Sequence, residues 1–241
     1  MKNFYNSFCK ITANLLYLRN MSKIIPAKPL LIMLYGYPGS GKSYVARQFT
    51  NHIQAAHIQG ERIRYELFEH PRYDKQENAV VTQLMDYMAD EFLNAGISVV
   101  YDTNALRASQ RQVLREKARK AGAMPLVIWL QINAEAAFAR CRKRDRRKAD
   151  DRYSPIIDRS TFDSLSEGMQ NPVSSEDYVV ISGKHIFSTQ LNAIMKKLQD
   201  MGAVYTDAVA AGVAKPELVN LVPNPAAGRV DMARRRNILI R

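Results

Sequence analysis

A three-layer α/β fold, a parallel sheet with helices on both faces, is predicted by two features of this 241-residue chain. Apolar runs alternate with stretches of helical period, the order that a parallel sheet with crossover helices requires. The first of these runs, Leu30 to Tyr35, leads straight into Gly36-Tyr37-Pro38-Gly39-Ser40-Gly41-Lys42-Ser43, a complete G-x-x-x-x-G-K-S motif.

Taken in order, the first strand spans 30–35 and the first helix runs from the glycine-rich loop to about 51. A short strand at 55–59 precedes a helix at 61–69. The next helix, 76–94, places Val80, Leu84, Tyr87, Met88 and Phe92 on one stripe and stops at Gly96. Strand 97–102, helix 107–121, strand 125–132 and helices 134–147 and 160–168 follow. Strand 178–182 and helix 187–200 close the pattern. Beyond Met201 it weakens, with Pro216, Pro223, Pro225 and Gly228 punctuating short apolar pieces. The expected organisation is an extension at 1–27, with Met21 a second candidate start, one domain at 28–200 and a basic appendage at 201–241.

Composition narrows the class. A net charge of +12 favours polyanionic partners, nucleotides or nucleic acid among them, and gathers at Arg140 to Arg152 and at Arg234-Arg235-Arg236 with Arg241. Cys9 and Cys141 form no framework or ligand cluster, so free thiols in a cytoplasmic setting are expected. His52, His57, His70 and His185 follow no metal-ligand spacing and read as surface or packing residues. The apolar patch Ile11 to Leu18 is short, interrupted by Asn14 and without a cleavage site, which argues against export or a membrane span.

The glycine-rich motif has a direct chemical reading. Its glycines let successive backbone N–H groups turn inward toward phosphate oxygens, and the helix that follows adds the positive end of its dipole. Lys42 is suited to the β and γ phosphates and the Ser43 hydroxyl to Mg²⁺. The expected nucleotide-contacting set is Gly36, Tyr37, Pro38, Gly39, Ser40, Gly41, Lys42, Ser43 and Tyr44.

Three further constellations follow the second, third and fourth strands, and the one at the end of the third strand lies where parallel sheets gather ligands. Asp102-Thr103-Asn104, followed by Arg107 and Arg111, offers Asp102 as a Mg²⁺ partner, against the plainer reading of a helix cap. Glu61-Arg62-Ile63-Arg64 sets a carboxylate and a guanidinium three apart on one helix face, able to take a proton from an acceptor hydroxyl and to grip its charge. The plainer reading is an acidic first turn facing solvent. The run Arg140 to Lys148 is either a solvated face or a lid, with Arg140 and Arg144 four apart on a common face.

Together these motifs, with Asn171-Pro172 and Glu176-Asp177-Tyr178 before the last strand, resemble the polynucleotide kinase-like and zeta toxin-like group of P-loop kinases, often labelled AAA-type ATPases. The similarity covers about residues 28–200. It implies a five-stranded parallel sheet of adenylate-kinase type, ATP with Mg²⁺ as cofactors, and γ-phosphoryl transfer to a hydroxyl. By position, Lys42 and Ser43 match the loop lysine and metal residue, Arg64 the substrate-gripping arginine, Asp102 the acid on strand three, and Arg140 or Arg144 the lid arginine. Polynucleotide kinases of the group carry Asp where this chain has Glu61, and the added methylene displaces the carboxylate that would act as base.

The function expected is an ATP-dependent kinase, with charge placing a polynucleotide 5′-hydroxyl first among acceptors. Nucleotide sugars and small metabolites are the other acceptors. An ATP-gated RNA- or protein-binding ATPase is the alternative from another class. A ring motor is disfavoured, since no helical domain or sensor arginine follows strand five.

Overall fold

The strand of six residues that precedes the glycine-rich loop, β1 (Leu30–Tyr35), is buried along its whole length and is the centre of the sheet. Its side chains alternate between faces, as the two-residue period of a strand demands. Leu30, Ile32 and Leu34 join one core cluster, and Leu31, Met33 and Tyr35 join the other. A strand apolar on both faces is stable only with helices on each side, and the fold supplies them.

The computed structural model describes residues 23–103, 107–145, 147 and 151–205. In chain order the elements are β1, α1 (Lys42–His52), β2 (Ala55–Gln59), α2 (Gly60–Leu67), α3 (Lys75–Asn94), β3 (Ser98–Asp102) and α4 (Ala108–Lys120). They continue with β4 (Met124–Gln131), α5 (Ala134–Arg142), α6 (Arg159–Glu167), β5 (Tyr178–Ser182) and α7 (Phe187–Asp200). The sheet order is β2-β3-β1-β4-β5, and every pairing is parallel. This is the five-stranded arrangement that the sequence predicts.

The first cluster packs α1 and α7 on one face of the sheet through Val45, Ala46, Phe49, Leu191, Ile194 and Leu198. The second packs α3 and α4 on the other through Val81, Met85, Ala89, Leu93, Leu114 and Ala118. Burying one such aliphatic side chain contributes roughly 1.5–3 kcal/mol, so the two layers together outweigh any local helix preference. Among the described residues no helix is long and apolar enough to cross a membrane.

Two expectations are corrected. The buried stripe of α3 is Glu77, Val81, Met85, Ala89 and Leu93, while Val80 and Tyr87 face outward, 48% and 61% exposed. The strict i, i+4 row wins because α3 lies close on the sheet and small Ala89 permits that approach. Secondly, α5 ends at Arg142 instead of continuing to 147. Continuing it would stack like charges four apart, Arg140 over Arg144 and Lys143 over Arg147, with no apolar residue to bury. The extension up to residue 22, Asn104, Arg146, Lys148 and the appendage from 206 onward lie outside the described residues.

Candidate active site

The carboxyl ends of β1, β2 and β3 meet at the glycine-rich loop. Gly36, Gly39 and Gly41 have φ of 148°, 80° and 101°, in the region glycine adopts without strain. Gly39 is also fixed by packing. A Cβ there would lie 2.3 Å from the Ala137 carbonyl oxygen and 2.8 Å from Cys141 Sγ, so the loop rests directly on α5.

Lys42 is buried at the start of α1, and its ammonium donates to the carbonyl oxygens of Gly36 and Tyr37, both at 2.8 Å. Desolvation lowers its pKa to about 8, opposed by the charge of Asp102 and reinforced by that of Arg144. Ser43 Oγ donates to Asp102 Oδ1 at 3.1 Å. Asp102 is 5% exposed, and its second oxygen, Oδ2, lies 3.0 Å from His57 Nε2. The cap of α4 is Arg107, so Asp102 serves the loop and not the helix. Ser40 Oγ is buried with no partner among the described residues. A hydroxyl, a carboxylate, an ammonium and an orphaned hydroxyl around one glycine-rich loop fit a nucleotide and its divalent cation. Ser43 and Asp102 are the residues suited to the cation, and Lys42 to the phosphates.

Of the other expected contacts, Tyr37 stacks on Phe162 of α6 at 5.9 Å and Tyr44 meets Phe187 of α7 edge-on at 6.4 Å. The first ties the loop to α6 and the second ties the start of α1 to α7.

Glu61 stands in the first turn of α2, two residues beyond β2, whose last residue Gln59 pairs with Asp102. Burial raises its carboxyl pKa, against the lowering effects of Arg64, of the Tyr73 hydroxyl and of Arg144. Arg64 is less free than the sequence spacing implies. Its fork donates to Glu77 Oε2 at 3.1 Å and Asn78 Oδ1 at 2.6 Å, tying α2 to the start of α3. Its Nε is buried without a hydrogen bond among the described residues, 3.8 Å from Glu61 Oε2.

The two candidate lid arginines do not share a face, because the helix stops between them. Arg140 is exposed and donates to the Gly183 carbonyl at 2.9 Å, just past β5. Arg144 donates to the Pro155 carbonyl and lies within electrostatic reach of Lys42 and Glu61. Arg111 is fully buried and clasps Glu176 with two bonds, Nε to Oε2 at 2.7 Å and a second nitrogen to Oε1 at 3.0 Å. That pair joins α4 to the approach to β5, with the Arg111 guanidinium 5.1 Å over the ring of Tyr35 at the end of β1.

Three residues escaped sequence reasoning. His57 reaches Asp102 only because β2 pairs with β3, 45 positions on. Glu77 accepts from the backbone N–H of Arg72, at 2.8 and 2.9 Å, and of Tyr73, at 2.9 Å, while its own N–H donates to Asp74 at 2.9 Å. Asp74-x-x-Glu77 has a capping-box spacing, a sequence signal by which it could have been found. Tyr73 has φ of 58°, the one non-glycine residue with positive φ among those described, at a cost of roughly 1–2 kcal/mol. Its hydroxyl donates to Glu61 Oε2 at 3.1 Å.

Residues 31–172, more than half of the chain, match the family model described as AAA domain, and the chain belongs to that family. No curated protein matches it. Among solved structures it is similar to a sugar kinase from Janibacter sp. HTCC2649, with a TM-score of 0.52 at 15% identity over 74% of this chain and 99% of that one. A gluconokinase from Sinorhizobium meliloti 1021 gives 0.52 at 18%, over 73% and 93%. The Mycobacterium tuberculosis APS kinase solved with AMPPNP and APS gives 0.52 at 18%, over 72% and 99%. At these identities the likeness is one of fold, and the fold is that of a P-loop kinase.

Proposed function

We propose that this protein is an ATP-dependent, Mg²⁺-requiring kinase that transfers the γ-phosphoryl group to a hydroxyl acceptor. The observation that carries the reading is the position of Glu61, one strand over from the Asp102–Ser43 pair and within electrostatic reach of Arg144 and Asp102. A phosphate-binding loop alone serves any nucleotide-dependent protein. A half-buried carboxylate within electrostatic reach of Asp102, beside that loop, is what an acceptor hydroxyl requires.

In this reading Lys42 and the loop amides hold the phosphates, and Ser43 and Asp102 hold Mg²⁺, which when bound offsets charge on the phosphates. Glu61 orients the acceptor hydroxyl and takes its proton. Arg144, not Arg140, supplies the lid cation, because Arg140 is engaged at Gly183. Arg64 fixes α2 through Glu77 and Asn78 and sets its buried Nε 3.8 Å from Glu61 Oε2, so its charge steadies that carboxylate. The net charge of +12 supports a polynucleotide 5′-hydroxyl as acceptor, as in the polynucleotide kinase-like group. A small hydroxylated acceptor is the second reading, supported by the sugar kinase, gluconokinase and APS kinase among similar folds.

The test is transfer of labelled γ-phosphate to 5′-hydroxyl oligonucleotides, nucleosides, sugars and nucleotide sugars, with Lys42→Ala as blank. Label in an oligonucleotide supports the first acceptor, and label in a small molecule the second. ATP binding with no labelled acceptor would sink the kinase reading in favour of an ATP-gated binding protein.

A further inference from the structure

The loop between α2 and α3 is built around one side chain. Glu77, buried at the start of α3, accepts from the N–H groups of both Arg72 and Tyr73. Asn78 donates to the Tyr73 carbonyl at 3.3 Å. Arg64, itself fixed by Glu77 and Asn78, sets its guanidinium 4.6 Å over the Tyr73 ring. These contacts hold Tyr73 in a left-handed backbone conformation that tyrosine disfavours. The ring is only partly covered, by the Arg64 guanidinium, and Tyr73 remains 38% exposed. The contact that the strain secures is the one at its tip, where the hydroxyl donates to Glu61 Oε2 at 3.1 Å and meets the Tyr65 hydroxyl at 3.3 Å.

We infer that Tyr73 is a positioning residue for Glu61, holding Oε2 so that Oε1 faces the acceptor hydroxyl. The inference rests on the kinase reading. Among the described residues no donor occupies Oε1. In the transfer step the acceptor proton passes to Oε1 while the acceptor oxygen forms a bond to the γ-phosphorus. The bond from that phosphorus to the β,γ-bridging oxygen breaks, and its electron pair leaves with ADP. Protonated Glu61 then returns its proton to solvent.

Four groups face Glu61: Arg64 from its own helix, Tyr73 from the loop before α3, Arg144 from beyond α5, and Asp102 from β3. Only Tyr73 can be altered there without changing a formal charge. Its hydrogen bond favours the ionised carboxylate, so its loss makes Glu61 harder to ionise.

The experiment compares wild type, Tyr73→Phe, Glu61→Gln and the double variant. Carbon-13 NMR of glutamate-labelled protein follows the Glu61 carboxyl through pH, with Glu61→Gln assigning its signal. In Tyr73→Phe the titration midpoint is expected to rise by about one pH unit. The acid limb of kcat moves with it, kcat on that limb falls about tenfold, and KM for ATP stays. In the Glu61→Gln background the Tyr73 change has no further effect on kcat. An unmoved midpoint in a folded Tyr73→Phe protein overturns the inference, whatever the acceptor. A shifted midpoint in a protein whose wild type labels no acceptor upholds the Tyr73–Glu61 coupling and overturns the kinase reading instead.

Discussion

His57 Nε2 lies 3.0 Å from Asp102 Oδ2, on the oxygen opposite the one that accepts from Ser43. The carboxylate is therefore held at both oxygens, and its plane is set before any cation arrives. Groups that orient a metal-binding residue from behind typically matter 10–100-fold in metal affinity, roughly. His57→Ala is expected to raise the Mg²⁺ concentration needed for half-maximal nucleotide binding by about tenfold or more, with Asp102→Asn worse. Titration of fluorescent nucleotide binding against Mg²⁺ checks this, and an unchanged Mg²⁺ requirement in His57→Ala would count against it.

Lys42 gives a pH signature. Its ammonium is charged below about 8 in the folded protein, so nucleotide affinity should weaken as pH rises through that value. Its stability contribution has the opposite sign. Between about 8 and the ordinary lysine value of 10.5 the unfolded chain holds a proton that the folded chain has lost, so nucleotide-free stability rises with pH across that window. Nucleotide binding near pH 9 should then take up a proton, visible as buffer-dependent heat in calorimetry, and Lys42→Met should abolish it.

The Arg111–Glu176 pair predicts stability more than activity. Burial raises the Glu176 carboxyl, but the hydrogen bonds and charge of Arg111 outweigh it and hold the pKa below the ordinary value of 4.5. The stability this supplies is present above that value and is lost as pH falls through the lower, folded one. Glu176→Gln leaves Arg111 charged in the interior and is expected to cost about 3–5 kcal/mol. Denaturant melts measure the cost, and a loss under about 1 kcal/mol would refute the account.

Much of this was legible in the residues. The strands were found because β1, β3 and β4 are apolar on both faces, and the phosphate loop because its spacing is set by backbone chemistry. What stayed hidden depends on strand order or on side chains crossing between elements. His57 and Asp102 meet only through the β2–β3 pairing. Arg64 looked free to grip an acceptor because its partners, Glu77 and Asn78, lie on another helix, 13 and 14 positions on. The end of α5 was missed because a helical spacing was extended through like charges that the helix does not sustain.

Gly39→Ala tests the join between loop and helix. The new methyl would meet the Ala137 carbonyl oxygen and Cys141 Sγ, at a φ of 80° that disfavours any side chain. A loss of thermal stability together with loss of nucleotide binding is expected. Wild-type affinity in this variant, measured by calorimetry, would show the join to be loose.

The same join has a mechanical consequence. With no gap between Gly39 and the Ala137–Cys141 turn, the phosphate cradle and the first two turns of α5 form one anchor. Arg140 sits on that anchor, and Arg144 lies beyond the helix end at Lys143. One arginine thus shares the frame of the cradle, while the other takes its place from the Pro155 carbonyl of a different segment.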